Sequence, residues 1–592
     1  MHRPIARLLM ALPLLAACSA PDSTASATAA PDLGKRAVSE NGVVSSALPQ
    51  ASEAGIEMLR QGGNAIDAAV ATSFALGVGE PQMSGLGGGG SMLVWLQDEG
   101  RAEYVDFYSA QLVESWRGIE PLDSGTVNLR VVAIPGEVAG LLDAHERYGQ
   151  LSLEQVMQPA IDLAENGFPV NQILADMIEA SVDKLSQFPA TAALYLPGGE
   201  PVAPGDVVRN PELAAALRRI ADRGAAGFYE GETAEAMVQV MNEGGHPVSL
   251  ADLTRFESQW KRPLCTEYRG YTVLSGPPPQ TGVQLVHTLN LLESHDLAAL
   301  GYPTQSAEAF DVVASAIRVA NTDNRANSDP NWAEVPAVGL TSKAFAAQRA
   351  SLVGTGRAAE RYEQGDATSF NGEAPSAACA ALDPWSPDAY APNAAAGNDG
   401  PTEGGTAGEG GETTHLSVVD AQGNAVALTR TNSSTFGSGA LASGFFLNNS
   451  GIDFSTRDPA DAEAQGLNPW RIRNSTIAPT IVLEDGRAKM VVGAPGGGRI
   501  QSAILQTMIY VLDFGLDPLE AVRMPRIYPS AGAVEIETEN GFNTATLGEV
   551  RAMGYVPTAD ADGYARVYVI ARDGDRWIAA ADPRHNGGAR GY

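Results

Sequence analysis

Basic side chains are scarce in this chain. Lysine and arginine together number 39 against 70 aspartates and glutamates, which gives a formal net charge of -31. A surface so negative repels phosphate backbones, so nucleic acid is excluded as a partner. Cysteine is scarcer still, with three in 592 residues. After Cys18 only Cys265 and Cys379 remain, too few for a disulfide scaffold. One bridge is open to them, but Cys379 falls in a loop-like stretch and pairing is not expected. Histidine is also sparse, and no His/Cys spacing reads as a metal site. No metal or other cofactor is therefore expected. His415 and His585 read as structural. Long apolar runs are missing as well. Leu8 to Ala17 is the notable one near the start, and it is too short to span a bilayer.

What is present is a globular body of 44% hydrophobic residues with 64 glycines. The length exceeds what one ordinary core serves. The first residues read as an export signal: His2, Arg3 and Arg7, then the apolar run, then Leu15-Ala16-Ala17-Cys18. That ending resembles a bacterial lipobox, in which the cysteine is lipidated and becomes the first residue; an ordinary secretory signal is the alternative. Residues 1–18 are thus expected to be a lipoprotein-type signal and 19–39 a flexible tether. The expected location is periplasmic or at the cell surface, with the membrane reached only through the lipid.

The body opens with an amphipathic helix over Ala51 to Arg60. After Gly62-Gly63-Asn64 comes Ala65 to Val78, whose single charge is Asp67. A helix so apolar must be buried. Ser84-Gly85-Leu86 and four further glycines lead into a strand at Ser91 to Leu96. Glycines here permit close backbone approach. They are not a dinucleotide fingerprint, which needs a strand before and a helix after. Glu103 to Phe107 reads as a strand, and a helix is expected to start at Ile134-Pro135-Gly136-Glu137 with the proline inside its first turn. Helical patterns follow over Leu153 to Asn166, Asn171 to Phe188, Pro211 to Met237, Gly282 to Glu293 and Gln305 to Ala320. Gly365 to Gly411 is poor in aliphatic residues and is expected to be flexible throughout.

Order then returns at Thr413. Leu416 to Val419 and Ala425 to Thr429 are β-favouring runs around the turn Asp420 to Asn424. Ile477 to Glu484 and Lys489 to Gly493 read as a hairpin, Gly496-Gly497-Gly498 leads into a helix from Arg499 to Tyr510, and Arg566 to Ile570 and Trp577 to Ala581 close the chain. Two sheets covered by helices is the layered solution for this pattern. A hydroxyl residue placed between a flexible tract and a hairpin points to an N-terminus made by cutting the chain at Glu412-Thr413; a plain linker into a hairpin is the other reading.

Taken together, these segments resemble the gamma-glutamyltransferase family of N-terminal nucleophile hydrolases. The resemblance spans about residues 40 to 592. It rests on Gly62-Gly-Asn-Ala-Ile-Asp67, the Gly85 to Gly90 run, Ile134-Pro-Gly136, Gly227-Phe-Tyr229 and Pro277 to Pro279. In the last third it rests on Thr413-Thr-His415, Asn448-Asn449, Asp453, Pro495-Gly-Gly497, Asp582-Pro-Arg584 and Gly591-Tyr592. The resemblance implies an αββα sandwich and a proenzyme that cuts itself into residues 40–412 and 413–592, which stay together as a heterodimer. Residues 380–412 would be the free tail of the large part. Thr413 would be the nucleophile, Thr431 its hydrogen-bonded neighbour, and the amides of Gly496 and Gly497 the oxyanion hole. Substrate contacts would fall on Asp453, Ser475 and Thr476, with a lid loop at Ser455 to Ile472.

The chain also departs from the family pattern. Tyr108 stands in the place of the family's carboxylate-binding arginine, exchanging a cationic fork for one neutral hydroxyl. The family's substrate-binding asparagine falls on Ser433, with Asn432 one place earlier, and the neighbouring glutamine becomes Ser450. Arg430 and Arg499 are the sequence candidates for a replacement charge, the latter reading as structural. The resemblance therefore implies cleavage of gamma-glutamyl amides such as glutathione, with transfer to water or an amine. An acylase or poly-gamma-glutamate-processing enzyme with another acyl group is the alternative, and a non-catalytic surface protein on the same fold is a third.

Overall fold

Alternating β-branched and small residues make two seven-stranded antiparallel sheets. The structure is a computed structural model, and it describes residues 34–112, 127–330, 334–382, 412–451, 470–472, 475–530, 533–560 and 565–592. The first sheet runs Gly588–Gly591, Val43–Ser46, Glu412–Val419, Ala425–Ser433, Gly89–Leu96, Arg101–Asp106 and Gln259–Lys261. The second runs Arg36–Ser39, Arg576–Ala581, Tyr568–Asp573, Arg487–Gly493, Thr480–Glu484, Tyr271–Ser275 and Leu264–Tyr268. Both sheets mix strands from before and after residue 412. The Glu412–Val419 strand is flanked by Val43–Ser46 on one side and by Ala425–Ser433 on the other.

Three apolar layers follow from the period-2 alternation of the strands. Between the sheets lie Val43, Leu93, Trp95, Leu274, Val419, Ala427, Ile481 and Val491. Outside the first sheet sits the helix Ala65–Gly79, in which every residue is buried, as its near-absence of polar side chains requires. Asn64 caps it, and the Asp67 carboxylate returns to the Asn64 N–H and also accepts the N–H groups of Gln150 and Leu151. The helices Gly282–Leu292, Ala307–Asp323 and Ile500–Leu512 cover the second sheet through Leu289, Ile317, Ile504 and Met508. The result is the αββα sandwich.

Several local expectations change. The helix expected at Pro135 starts at Glu137, with Gly136 as its N-cap. Gly136 lies so close to the Phe107 carbonyl that a Cβ would stand 2.2 Å from the oxygen. The span Asn171 to Phe188 breaks into Gln172–Ala180 and Val182–Leu185, because Ser181 leaves helical dihedrals. The chain from Gly365 is not loose throughout. Residues 365–382 are ordered, with Ala367 buried and Phe370 against Phe345. Cys379 lies in a short helix, Ala377–Ala381, and is bonded to Cys265 with Cα atoms 5.7 Å apart. The missing aliphatic residues are offset by this covalent tie, which sequence spacing did not reveal. Residues 383–411 lie outside the described residues, as do the expected signal, residues 19–33 of the expected tether, Cys18, Asp453 and most of the expected lid; the last part of that tether is not loose, because Arg36–Ser39 pairs as an edge strand with Trp577–Ala580. Among the described residues no helix is long and apolar enough to cross a membrane.

Candidate active site

Alternation along Glu412–Val419 separates two chemistries. Thr413, His415 and Ser417 face the second sheet: the His415 ring lies against Gly493, and Ser417 donates to the Tyr568 carbonyl. Thr414 points the other way, toward the helix layer, where its hydroxyl donates to Glu80 at 2.6 Å.

Thr413 stands opposite Thr431 in the ladder. One step on, Glu412 pairs with Ser433, so Asn432 is an extra residue on its strand and the register shifts at the Glu412–Thr413 bond. Ser433 has φ +77, a conformation that costs a non-glycine residue about 1–2 kcal/mol. The Thr431 hydroxyl accepts the Ser433 N–H at 2.8 Å. An amide can only donate, so the hydroxyl proton is free to point elsewhere, and it donates to the carbonyl oxygen of Glu412. Thr431 therefore polarises the carbonyl of the bond that precedes Thr413.

The extra residue also decides between Asn432 and Ser433. Ser433 Oγ lies 2.7 Å from Ser450 Oγ, which in turn donates to Ser109 Oγ at 3.3 Å. Asn432 turns instead toward Gly88, where a Cβ would come 2.6 Å from its Oδ1 and 2.5 Å from the Thr431 carbonyl. The glycine run is what lets these backbones approach. Asn448 clamps the same corner, donating to the Gly87 and Ala133 carbonyls and accepting the Ala133 N–H. Ser433, Ser450 and Ser109, the residue after Tyr108, thus form one row of hydroxyls. Tyr108 is buried in the apolar cluster that contains Ile472, Ile477 and Ala478, its N–H bonded to Asp106. The strand pairing Ala110↔Ile472 carries this stretch toward Ser475. Ser475 is buried and bridges to Gln280, and Thr476 beside it is half-buried.

The Arg487–Gly493 strand ends against His415 and runs into Ala494-Pro495-Gly496-Gly497. Gly496 has φ +137, and a Cβ there would sit 2.8 Å from Ala565, so only glycine fits. Gly497–Arg499 is a 3-10 turn leading into the Ile500–Leu512 helix. Amides at such a terminus are available to negative charge. Arg499 pairs with Glu537 at 2.6 Å and covers the Tyr528 ring.

Behind the strand lies a buried charged group. Arg430 is fully buried, on the face away from Thr413, and bonds to Glu137 and to Ser73. It is thereby removed as a replacement clamp: strand alternation aims it at the helix layer. Burial lowers its pKa to about 9, while the charge of Glu80 opposes the shift. Burial raises Glu80 to about 7 against the Thr414 hydrogen bond and the charges of Arg566 and Arg430. His585 lies 3.7 Å from Glu80 and is held neutral by burial. On the front face His415 is also neutral, its pKa pushed down by burial to about 3, with Thr429 and Ser417 on its two nitrogens.

Four residues at the site carry no mark in the sequence. Glu80 follows an apolar helix and Ser109 follows Tyr108, with no pattern to mark either. Thr435 donates to Glu412 Oε1 at 2.7 Å, and Lys184 reaches the Thr435 and Gly437 carbonyls at 3.0 and 3.3 Å. A lone lysine some 230 residues upstream carries no local signal of that placement.

Known proteins resemble this chain over most of its length. The gamma-glutamyltranspeptidase family model matches residues 51–592. A glutathione hydrolase proenzyme of Escherichia coli (strain K12) is 33% identical over 92% of this chain and 90% of its own length. An acylase ACY 1 proenzyme of Pseudomonas sp. (strain V22) is 33% identical over 85% of each chain. In fold, the structure resembles a cephalosporin acylase from Bacillus halodurans, with TM-score 0.77, 23% identity, and coverage of 98% of this chain and 99% of that one. Match length and identity together place the chain, an enzyme, in the gamma-glutamyltranspeptidase family.

Proposed function

We propose that this chain is a self-processing amidohydrolase with Thr413 as nucleophile, acting on gamma-glutamyl amides such as glutathione. The observation that carries the reading is the Thr431 proton held on the Glu412 carbonyl, at the point where the ladder register shifts. In the first step Thr413 Oγ attacks the Glu412 carbonyl carbon. The C–N bond breaks, the hydroxyl proton passes to the Thr413 nitrogen, and an ester joins Glu412 to Thr413 Oγ. Water then cleaves the ester, leaving a Glu412 carboxylate, a free hydroxyl and an α-amine on Thr413. That amine has an unperturbed pKa of about 7.7–8.0, so at neutral pH a fraction is free to take the hydroxyl proton when a substrate amide arrives. The Gly496 and Gly497 amides would receive the developing oxyanion. The leaving amine takes the proton, and the acyl ester passes to water or to an acceptor amine. Asp453, Ser475 and Thr476 are proposed to hold the substrate's α-amine and carboxylate.

The two fragments would stay together because both sheets contain strands of each. Separating them would strip hydrogen bonds from both edges of the Glu412–Val419 and Ala425–Ser433 pair. Export, with Cys18 as the lipidated residue, is part of the same proposal. The Cys265–Cys379 bond supports an oxidising compartment.

A second reading, an acylase with another acyl group, is favoured by the neutral row Ser433–Ser450–Ser109 beside Tyr108, where an arginine would have supplied charge. Denaturing electrophoresis of purified protein should show two fragments, the smaller starting at Thr413. Thr413→Ala should leave one uncut, inactive chain; processing or turnover in that variant would refute the assignment. Gamma-glutamyl-p-nitroanilide against neutral acyl anilides separates the two readings.

A further inference from the structure

The Glu412 side chain is placed as an acyl group would be. Its main-chain carbonyl is the one polarised by Thr431, and its carboxylate accepts the Thr435 hydroxyl at 2.7 Å while the residue is only 5% exposed. From that carbonyl carbon to the side-chain carboxyl carbon runs a five-carbon chain. A gamma-glutamyl or glutaryl group has the same skeleton: a reacting carbonyl, three carbons and a remote carboxylate. The ester formed during processing is therefore, in its skeleton, the acyl-enzyme of a glutaric-acid derivative.

A cation reaches the same residue from the other side: Thr435, whose hydroxyl sits on the Glu412 carboxylate, offers its carbonyl to Lys184. The Lys184 ammonium hydrogen-bonds the Thr435 and Gly437 carbonyls at 3.0 and 3.3 Å, and its stem lies along Gly439. Among the described residues these two carbonyls are its hydrogen-bond partners, so one of its three protons is left over. Burial lowers its pKa and the charge of Glu412 raises it again, so the two groups sense each other. Phe436 at φ +58 and Gly437 at φ +52 bend the backbone so that the 435 and 437 carbonyls converge on the ammonium.

We propose that Lys184 and Thr435 form the seat for the remote carboxylate of the acyl group, and that the Glu412 side chain fills this seat until the chain is cut. Cleavage makes Glu412 a free terminus, no longer covalently held at the seat. An incoming dicarboxylic acyl group then finds the cation and the hydroxyl already in place. Lys184 supplies the charge that Tyr108 does not, so for the carboxylate this seat takes the place of Ser475 and Thr476 in the reading above. The assignment rests on Thr413 as nucleophile and narrows the substrate class to amides of five-carbon dicarboxylic acids, with or without an α-amine.

The test uses processed full-length enzyme with glutaryl-, gamma-glutamyl- and butyryl-p-nitroanilide, together with calorimetric binding of glutarate. Lys184→Gln should lower the ratio of glutaryl to butyryl kcat/KM at least tenfold, mostly through KM, and weaken glutarate at least tenfold. Lys184→Arg should recover most of both. A ratio and a glutarate affinity within twofold of wild type in Lys184→Gln would overturn the seat. Should Lys184→Gln fail to process, Thr435→Val carries the same measurements with the same criteria. If the wild type is cut but hydrolyses none of the anilides, the acyl-transfer reading falls, while glutarate binding still decides the seat on its own.

Discussion

The two faces of the Glu412–Val419 strand are built on opposite principles. The face toward the second sheet is polar but uncharged: Thr413, a neutral His415 and Ser417, tied by hydroxyls and backbone. The face toward the helices carries formal charge with almost no water: Glu80, Arg430 and Glu137, all fully or nearly fully buried. Charge set behind Thr413, the proposed nucleophile, can hold the strand without competing for substrate. The comparison teaches that an ionic group one residue from Thr413 or Thr431 does not thereby share their surroundings, because a strand sends neighbours to opposite sides.

The comparison breaks most readily at Arg430. Arg430→Leu leaves the Glu137 carboxylate buried without its partner, and losses of about 3–5 kcal/mol are usual for such a deletion. Thermal unfolding of uncut protein should show it; a Tm within two degrees of wild type would mean that the buried pair is not what holds this face.

Glu80 offers a pH-dependent version of the same test. Its pKa is raised from 4.5 to about 7 in the folded chain. Between those values the native state keeps a proton that the unfolded state has lost, so stability falls as pH rises through this window, by about 3 kcal/mol in all. Glu80→Gln removes the titration. The variant's stability relative to wild type should therefore increase from pH 4.5 to pH 7 and stay level above it. Parallel curves from pH 4 to pH 8 would show that Glu80 does not titrate in this window.

On the front face, Thr431→Val removes the donor on the Glu412 carbonyl while keeping the branched shape. Loss of one such donor typically costs about 100-fold or more in rate. The rate at which fragments appear on a gel should fall by that factor, measured at a temperature where the variant, which also loses the acceptor of the Ser433 N–H, is still folded. Unchanged processing would mean that the hydrogen bond is structural.

Much of the sandwich was legible in the chain. The buried helix Ala65–Gly79 announced itself by having a single charge, and the hairpin at 412–433 by β-favouring runs around Asp420 to Asn424. The four glycines before Ser91 were read as a close approach, and they are one. The disulfide was not legible, since a Cα separation of 5.7 Å between residues 114 apart leaves no trace in spacing. Nor was the extra residue at Asn432, which alone decides that Ser433 and not its neighbour joins Ser450.

By itself the sequence determined which residues have the right chemistry: a threonine at the start of an ordered hairpin, and glycines where a side chain would collide. It also marked Tyr108 as a departure, because residue identity is local information. The tertiary structure alone decided direction and company. It turned Arg430 away from Thr413, set Thr435 on the Glu412 carboxylate and brought Lys184 to the same corner across some 230 residues. The physical reason is that a strand's alternation, a one-residue shift of register and the meeting of distant segments are properties of the packed chain, and no local stretch encodes them alone.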